Sequence, residues 1–330
     1  MSLRAWRRDP QEEFRVVNGP YFWLSGRELL RFVPDGRGGH RGVRQDVRTG
    51  KVAPFLVRGQ PLTLRDVVLD QIEASPNGKR LLWPQIERRH GRDSLRYVTR
   101  AIDGSGTSWS WPAFDEQRAG VKSWNDSAWT WDGRAWVMLF GLHAGPRAVV
   151  YRIGEARARV VPVAGLDDLY PDDVRGPTVL RAFTPSGRAL LVRAEYLRPD
   201  ETNPQLGEYD LQLPGAAPRA PHLRRVSLPP GSNFSGGRIS PSGDRLLWYR
   251  YNHWELPLWS WLRRRFPNLP ERRRERQEIW VSDLDGSRMR QIAYYHSVVN
   301  GPETGWSRWS PDGKALTLIY GDTLRRVPVD

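Results

Sequence analysis

Histidines are the side chains of this sequence best suited to metal binding or proton transfer, and all six are isolated from one another. They stand at positions 40, 90, 143, 222, 253 and 296. Metal ligands that share one element usually lie three or four residues apart, so a site here would have to be assembled from distant segments. We therefore predict no metal site and no cofactor.

The acidic residues add little that could do catalysis. Aspartate pairs at 167–168 and 172–173 could serve a glycosidase or lactonase, but Gly165 and Pro171 beside them are typical of an ordinary loop. The acidic motif at 283–287 resembles the start of a calcium loop without its later glutamate, and its Asp-Gly pair favours a hairpin turn. No nucleophile elbow, H-E-x-x-H motif or phosphate loop occurs, so no catalytic residue is predicted.

A basic and aromatic segment, roughly Asn252 to Gln277, is the part of the chain best suited to bind a partner. It holds seven arginines against three glutamates. We predict a helix over Pro257 to Phe266, because proline suits a first helical turn and Leu258, Trp259, Leu262 and Phe266 then share one stripe. The predicted partner-binding residues are His253, Trp254, Trp259, Trp261, Arg263, Arg264, Arg265, Arg272, Arg273 and Arg274, together with Arg88 and His90.

Three interpretations of this segment stay open from the sequence. It could be a cap packed on the rest of the fold, an interfacial membrane element, or a docking surface for an acidic partner, with 254–276 as its centre. Nucleic acid is not favoured, because no recognised nucleic-acid-binding module accompanies the arginines. We predict a non-catalytic binding or scaffolding protein that engages a protein or other anionic partner. The alternatives are a hydrolase or lyase, and a peripheral membrane protein.

Composition places few further limits on the chain. The net charge of +14 comes almost wholly from arginine, which is spread along the sequence beside acidic residues and therefore indicates a solvated surface. The absence of cysteine excludes disulfides and leaves the compartment open. No apolar run is long enough to span a membrane, and the first ten residues do not form a signal peptide. We expect a soluble monomer.

A repeated turn organises the chain. The form Ser/Thr-Pro-x-Gly followed by an apolar strand begins at Ser75, Thr184, Ser240 and Ser310, and weaker copies surround Gly26 and Gly133. The six turn glycines, at 26, 78, 133, 187, 243 and 313, are 52, 55, 54, 56 and 70 residues apart. Each glycine is expected to supply a positive φ angle at a hairpin, and each interval accommodates four strands.

These repeats predict an all-β chain of six four-stranded units packed around one axis. The expected blades cover approximately 18–60, 61–115, 121–165, 176–229, 231–295 and 298–330. The last unit has room for only three strands, so a strand from Leu3 to Val17 is expected to complete it. The extra length of the fifth interval places the helical insertion, 252–277, between the second and third strands of that blade.

The repeat also resembles a known family. Ile279-Trp280-Val281-x-Asp283-x-Asp285-Gly286-Ser287, followed by Trp309-Ser310-Pro311-Asp312-Gly313-Lys314, is similar to the TolB-like propeller repeat, a WD40-like repeat. The resemblance implies a six-bladed β-propeller and favours the cell envelope or periplasm, but it implies little about activity. In such a propeller, loops at Pro34 to Arg44, Arg88 to Asp93 and Leu197 to Gly207 would share a long-loop face with the insertion.

Overall fold

The chain is almost entirely β-structure. The computed structural model describes residues 12–15, 21–67, 69–89, 92–102, 105–114, 121–142, 145–163, 175–198, 201–209, 222–225, 233–255, 257–266, 273–298, 307–320 and 323–329. Within these ranges the helical residues are one α-helix, α1 (Pro257–Arg265), and one short 3-10 helix, Leu69–Gln71. The prediction of an all-β, antiparallel chain is confirmed.

The described strands follow one another in short antiparallel meanders. In chain order they are β1 (Glu12–Arg15), β2 (Tyr21–Trp23), β3 (Glu28–Pro34), β4 (His40–Asp46), β5 (Val52–Pro54), β6 (Leu56–Val57), β7 (Gln60–Pro61), β8 (Thr63–Leu64), β9 (Glu73–Ala74), β10 (Arg80–Arg89), β11 (Arg92–Ala101), β12 (Ser108–Pro112), β13 (Val121–Trp129), β14 (Ala135–Leu142), β15 (Gly145–Arg152), β16 (Arg159–Pro162), β17 (Arg175–Phe183), β18 (Ala189–Arg198), β19 (Glu201–Tyr209), β20 (His222–Arg225), β21 (Asn233–Ile239), β22 (Arg245–Glu255), β23 (Arg273–Asp283), β24 (Arg290–Val298), β25 (Ser307–Trp309), β26 (Ala315–Tyr320) and β27 (Thr323–Pro328).

Five sheets have the four strands predicted for a blade. They are sheet 2 (β9–β12), sheet 3 (β13–β16), sheet 4 (β17–β20), sheet 5 (β21–β24) and sheet 6 (β25–β27 with β1). Sheet 1 departs from the prediction, because β8 pairs with β4 and makes β2–β5 a five-stranded sheet. The structure therefore shows five four-stranded blades rather than six identical ones.

The irregularity of sheet 1 has a local cause. The N–H of Gly42 donates to the Leu62 carbonyl at 2.7 Å, while the N–H of Phe55 donates to the Gly42 carbonyl at 3.0 Å. The segments before and after the β6–β7 ribbon are therefore both hydrogen-bonded to β4. As a result, the residues just after 60 join sheet 1. The first and second predicted units accordingly do not divide at residue 60.

The hydrophobic core lies between successive sheets and forms a closed ring. Sheets 1 and 2 share one cluster, and the same holds for sheets 2 and 3, 3 and 4, 4 and 5, and 5 and 6. A further cluster joins Tyr21 and Leu29 of sheet 1 to Leu324 of sheet 6. Wide side chains such as Trp83, Trp136 and Trp248 are buried between sheets, as expected for wedge-shaped spaces. Sheets stacked in sequence order and closed on themselves form a β-propeller.

Sheet 6 receives its outer strand from the beginning of the chain. Strand β1 pairs antiparallel with β27, from Glu12 opposite Arg326 to Arg15 opposite Thr323. This strand lies inside the segment expected to act as the donor. The pairing covers a sheet edge that would otherwise present open N–H and carbonyl groups.

The repeated turns are alike in five copies. Gly78, Gly133, Gly187, Gly243 and Gly313 have φ between 65° and 82°. Each donates its N–H, at 2.8–2.9 Å, to the carbonyl of the Ser or Thr three residues earlier. Gly26 does not adopt a positive φ. There the Ser25 hydroxyl accepts the Glu28 N–H at 3.1 Å, so that copy closes by a side-chain hydrogen bond instead.

Neighbouring turns contact one another, which places them on one face that we call the turn face. The Asn77 amide donates to the Asp132 carbonyl at 3.0 Å, joining the turns of sheets 2 and 3. A Cβ added to Gly243 would overlap the Pro185 ring, and one added to Gly313 would lie 3.2 Å from the Ser242 hydroxyl. The turns of sheets 4, 5 and 6 therefore also adjoin.

Candidate functional site

The predicted insertion stands at the tip of a long hairpin in sheet 5. Strands β22 and β23 have eleven residues each and stay paired from Arg245 opposite Asp283 to Glu255 opposite Arg273. The connection between them is therefore residues 256–272, shorter than the predicted 252–277. The ladder simply continues past the expected strand ends, since its backbone groups remain paired.

This register locates several predicted partner-binding residues in paired strands. His253 is opposite Glu275, Trp254 is opposite Arg274, and Arg273 is opposite Glu255. Trp259 lies in α1, and its side chain is outside the described part of the structure, as are residues Arg272 and His90 altogether. Arg88 is exposed in β10 of sheet 2, on a different blade from the insertion.

Helix α1 begins at Pro257 and carries Arg263, Arg264 and Arg265 in its last turn. Proline suits the first helical position because it has no N–H to leave unpaired, and cations interact favourably with the carbonyl end of a helix. The N–H of Phe266 donates to the Leu262 carbonyl at 2.8 Å and closes the last turn. These local preferences explain why a helix forms at this connection.

Among the side chains of α1 that the structure describes, the exposed ones combine an aromatic ring with two cations. Trp261 is 58% exposed, and Arg264 and Arg265, three and four residues later on the same side, are exposed as well. Leu262 is half-buried, as predicted for the apolar stripe. Phe266 was predicted to share this stripe within the helix, and this is wrong, because Phe266 follows the last helical residue and is 56% exposed.

The other predicted long loops are shorter than expected. Only residues 35–39 separate β3 from β4, so His40 begins a strand, and two residues each separate β10 from β11 and β18 from β19. Extended hairpins occupy the places where loops were predicted. The end of the propeller opposite the turn face, which we call the hairpin face, therefore carries one long connection, 256–272, among the described central hairpins.

A second cluster, which sequence reasoning missed, lies where the innermost strands meet. Arg238 of β21 donates to the Ser307 carbonyl at 3.1 Å, and Trp309 donates back to the Arg238 carbonyl at 3.1 Å. The hydroxyls of Ser307 and Tyr249 are hydrogen-bonded to each other. Arg308 of β25 places its guanidinium 4.4 Å from the centre of the Phe22 ring. We call Arg238 and Arg308 the axial arginine pair.

Sheet 1 closes this cluster from the other side. The Tyr21 hydroxyl donates to the Thr317 carbonyl at 2.9 Å, and Trp23 Nε1 donates to the Thr317 hydroxyl at 3.2 Å. That hydroxyl in turn donates to the Arg308 carbonyl at 3.0 Å. Hydrogen bonds from two sheets thus fix the backbone that presents Arg308.

Burial dominates the electrostatics of the cluster. It raises the pKa of Tyr21, which keeps that phenol neutral. Burial, and then the nearby charge of Arg238, lowers the pKa of Arg308 to about 10, so Arg308 is still protonated at neutral pH. Glu73 of sheet 2 also acts on Arg308, but its carboxylate accepts hydrogen bonds from Ser127 at 2.9 Å and Trp136 at 3.1 Å.

The remaining sequence candidates fall into two groups. Asp283 and Asp285 belong to a turn in which Gly286 has φ 82° and donates to the Asp283 carbonyl at 3.0 Å, as the hairpin interpretation expects. The aspartates at 167–168 and 172–173 lie outside the described residues. Among the residues that are described, no three His, Asp or Glu side chains gather as metal ligands, and no helix is long and apolar enough to cross a membrane.

Neither a protein-family model nor a curated protein sequence matches the chain. Solved propellers are similar to it in fold. TolB from Acinetobacter baumannii is 11% identical with a TM-score of 0.47, and the match covers 92% of this chain and 64% of that one. The propeller domain of the Trilobed protease from Pyrococcus furiosus is 10% identical, with coverage of 93% and 80% and a TM-score of 0.44. The periplasmic gluconolactonase of Pseudomonas aeruginosa is 13% identical, with coverage of 97% and 93% and a TM-score of 0.43.

The chain therefore matches less than two thirds of the length of that TolB chain. All three similarities are remote, and the fold rests on the sheet order and the ring of core clusters described above. The three solved proteins also differ in role, since one is a protease domain and another a lactonase. Function has to be argued from this chain's own side chains.

Proposed function

We propose that this chain is a non-catalytic binding propeller that docks an acidic protein through helix α1. The observation that carries the proposal is the exposed group of Trp261, Arg264 and Arg265 at the tip of the sheet 5 hairpin. Tryptophan and arginine are the side chains most enriched at the energetic centres of protein interfaces. In this proposal sheet 1 counts as a blade despite its fifth strand, which makes a six-bladed ring.

The charge of the docking segment indicates an acidic partner. Arg263, Arg264 and Arg265 follow one another, and the acidic residues nearest in sequence are Glu255 and Glu271. Such a cluster attracts an acidic surface over a distance limited by salt, about 8 Å at physiological ionic strength. The aromatic ring then supplies the contact area that charge alone does not. We further propose that the protein acts as a monomer in the cell envelope.

An anionic membrane surface is the second candidate, and a specific observation favours it. Phe266 and Trp261 are both more than half exposed, at 56% and 58%, on a basic helix end. Exposed aromatics beside arginines are also typical of interfacial helices. No feature of the described residues favours the hydrolase or lyase alternative.

The test compares the whole protein with a variant in which residues 256–272 are replaced by a two-glycine turn. Because β22 and β23 remain paired up to Glu255 and Arg273, the hairpin should survive this change. The probes are poly-L-glutamate, as an acidic polypeptide, and vesicles containing phosphatidylglycerol. A double substitution, Arg264→Gln with Arg265→Gln, tests the charges separately. Arg134→Gln is the matched control, since Arg134 is an exposed arginine on the turn face.

The parent protein should bind poly-L-glutamate more weakly as salt rises, and the loop replacement should abolish this binding while Tm is kept. The double substitution should weaken poly-L-glutamate binding about 3- to 10-fold, because it removes two exposed charge pairs at the edge of the interface and each contributes little. Binding that the loop replacement leaves unchanged would refute the proposal. Binding to vesicles but not to poly-L-glutamate would select the membrane instead.

A further inference from the structure

The axial arginine pair occupies one repeated position of the propeller. Arg238 and Arg308 each stand two residues before the serine that opens a Ser-Pro-x-Gly turn, and Glu73 stands at the same place before Ser75. Equivalent positions of the innermost strands lie around the same axis in a propeller, and here each of these three side chains contacts the next sheet. The electrostatic coupling of Arg308 to Arg238 in sheet 5 and to Glu73 in sheet 2 agrees with this placement.

Two of the other equivalent positions hold short side chains, whereas sheet 1 contributes the ring of Phe22. Ala128 of sheet 3 and Ala182 of sheet 4 precede Thr130 and Thr184 by two residues. Both alanines are buried between sheets and add no charge or hydrogen-bonding side chain to these positions. Among the described residues, these positions hold two cations and one carboxylate, and that carboxylate already accepts hydrogen bonds from Ser127 and Trp136.

The two arginines are held in place by hydrogen bonding and ring stacking. Within the described part of the chain, no carboxylate lies in ion-pair contact with Arg238 or Arg308, and Arg308 Nε is shielded from solvent without a hydrogen-bond acceptor. Stacking on Phe22 at 4.4 Å fixes the guanidinium plane and leaves its N–H edge for another partner. A buried donor without an acceptor is costly unless a ligand or water satisfies it.

We propose that Arg238 and Arg308 form a binding site for a small oxyanion, a carboxylate or phosphate group, at the axis of the propeller. Arginine binds both groups through parallel N–H···O hydrogen bonds, which suit two guanidinium groups on the innermost strands of neighbouring sheets. This site is separate from helix α1. It should therefore be retained when residues 256–272 are replaced, whether or not that helix docks a partner.

The test measures the affinity of the full chain for inorganic phosphate and for acetate, by calorimetry and by the rise in Tm, against chloride of equal ionic strength. The variants are Arg308→Gln, Arg308→Lys and Arg238→Gln. Arg134→Gln again serves as the control, because its side chain is 84% exposed and lies near Asp132 of its own turn in sheet 3. Arg238 is exposed, so Arg238→Gln should fold even if Arg308→Gln does not.

We expect one equivalent of phosphate or acetate to bind, and the probe that binds identifies the source of the oxyanion. Arg238→Gln and Arg308→Gln should each weaken binding about tenfold or more, since each removes charge-assisted hydrogen bonds. Arg308→Lys should restore part of the affinity, and Arg134→Gln should change nothing. The proposal is overturned if neither anion raises Tm above chloride, or if Arg238→Gln binds as tightly as the parent.

Discussion

The turn face and the hairpin face of this propeller are built from the same strands, yet they differ in regularity. On the turn face, Gly78, Gly187, Gly243 and Gly313 repeat one conformation, and adjacent turns pack against each other. On the hairpin face, the central strands end at different lengths, and sheet 5 extends eleven-residue strands to a helix. Mutual packing constrains the first face, whereas the second has room to acquire binding residues.

The most direct test of this difference between the two faces is to replace a turn glycine. Gly243→Ala should lower the free energy of unfolding by about 2–4 kcal/mol, because φ +79° disfavours a side chain and the new methyl would overlap the Pro185 ring. Gly26→Ala is the control, since nothing lies within 4 Å of a Cβ there and its φ is not positive. Urea unfolding measures both, and equal stability of the two variants would show that the turn contacts do not constrain this face.

Removal of the Ser310 hydroxyl from its turn should have the next largest effect on stability. The buried Ser310 hydroxyl accepts the Ala315 N–H at 3.0 Å. Ser310→Ala should therefore cost about 1–2 kcal/mol, the penalty of leaving that N–H unpaired. Ser94→Ala should change stability by less than about 0.5 kcal/mol, because Ser94 is an exposed residue of β11 whose hydroxyl donates to the Glu87 carbonyl at 3.1 Å. A loss at Ser94 as large as at Ser310 would contradict the difference between the faces.

The same contrast explains what the sequence could and could not predict. The turns were predictable because glycine at 78, 187, 243 and 313 supplies the positive φ angle that each turn requires. The closing strand was predictable because the last unit has room for only three strands of its own. The fifth strand of sheet 1 was missed because β8 joins β4 through tertiary hydrogen bonds without a local signal. Strand lengths on the hairpin face were missed for a similar reason, since residues such as Asn252, His253 and Glu255 fit a paired strand as readily as a loop.

The candidate site was predicted only where the signal was local. Pro257 and the three arginines at the end of α1 can be read directly from the chain. The axial arginine pair could have been found by aligning the repeats and comparing the residue two places before each turn. That comparison places Glu73, Arg238 and Arg308 together, but recognising it requires the ring, because these residues are far apart in sequence.

The smallest effect on stability is expected at the hairpin face, where Trp261→Ala should change the free energy of unfolding by less than about 0.5 kcal/mol. Trp261 is 58% exposed, so truncation removes little buried surface and leaves no cavity. Trp248→Ala is the matched opposite, because Trp248 is fully buried and its Nε1 donates to the Ser282 hydroxyl at 2.8 Å, and about 3–5 kcal/mol should be lost. If Trp261→Ala leaves stability unchanged but weakens poly-L-glutamate binding, the exposed ring contributes to docking and not to folding. A stability loss near that of Trp248→Ala would instead show that α1 is a structural cap, and the functional difference between the two faces would disappear.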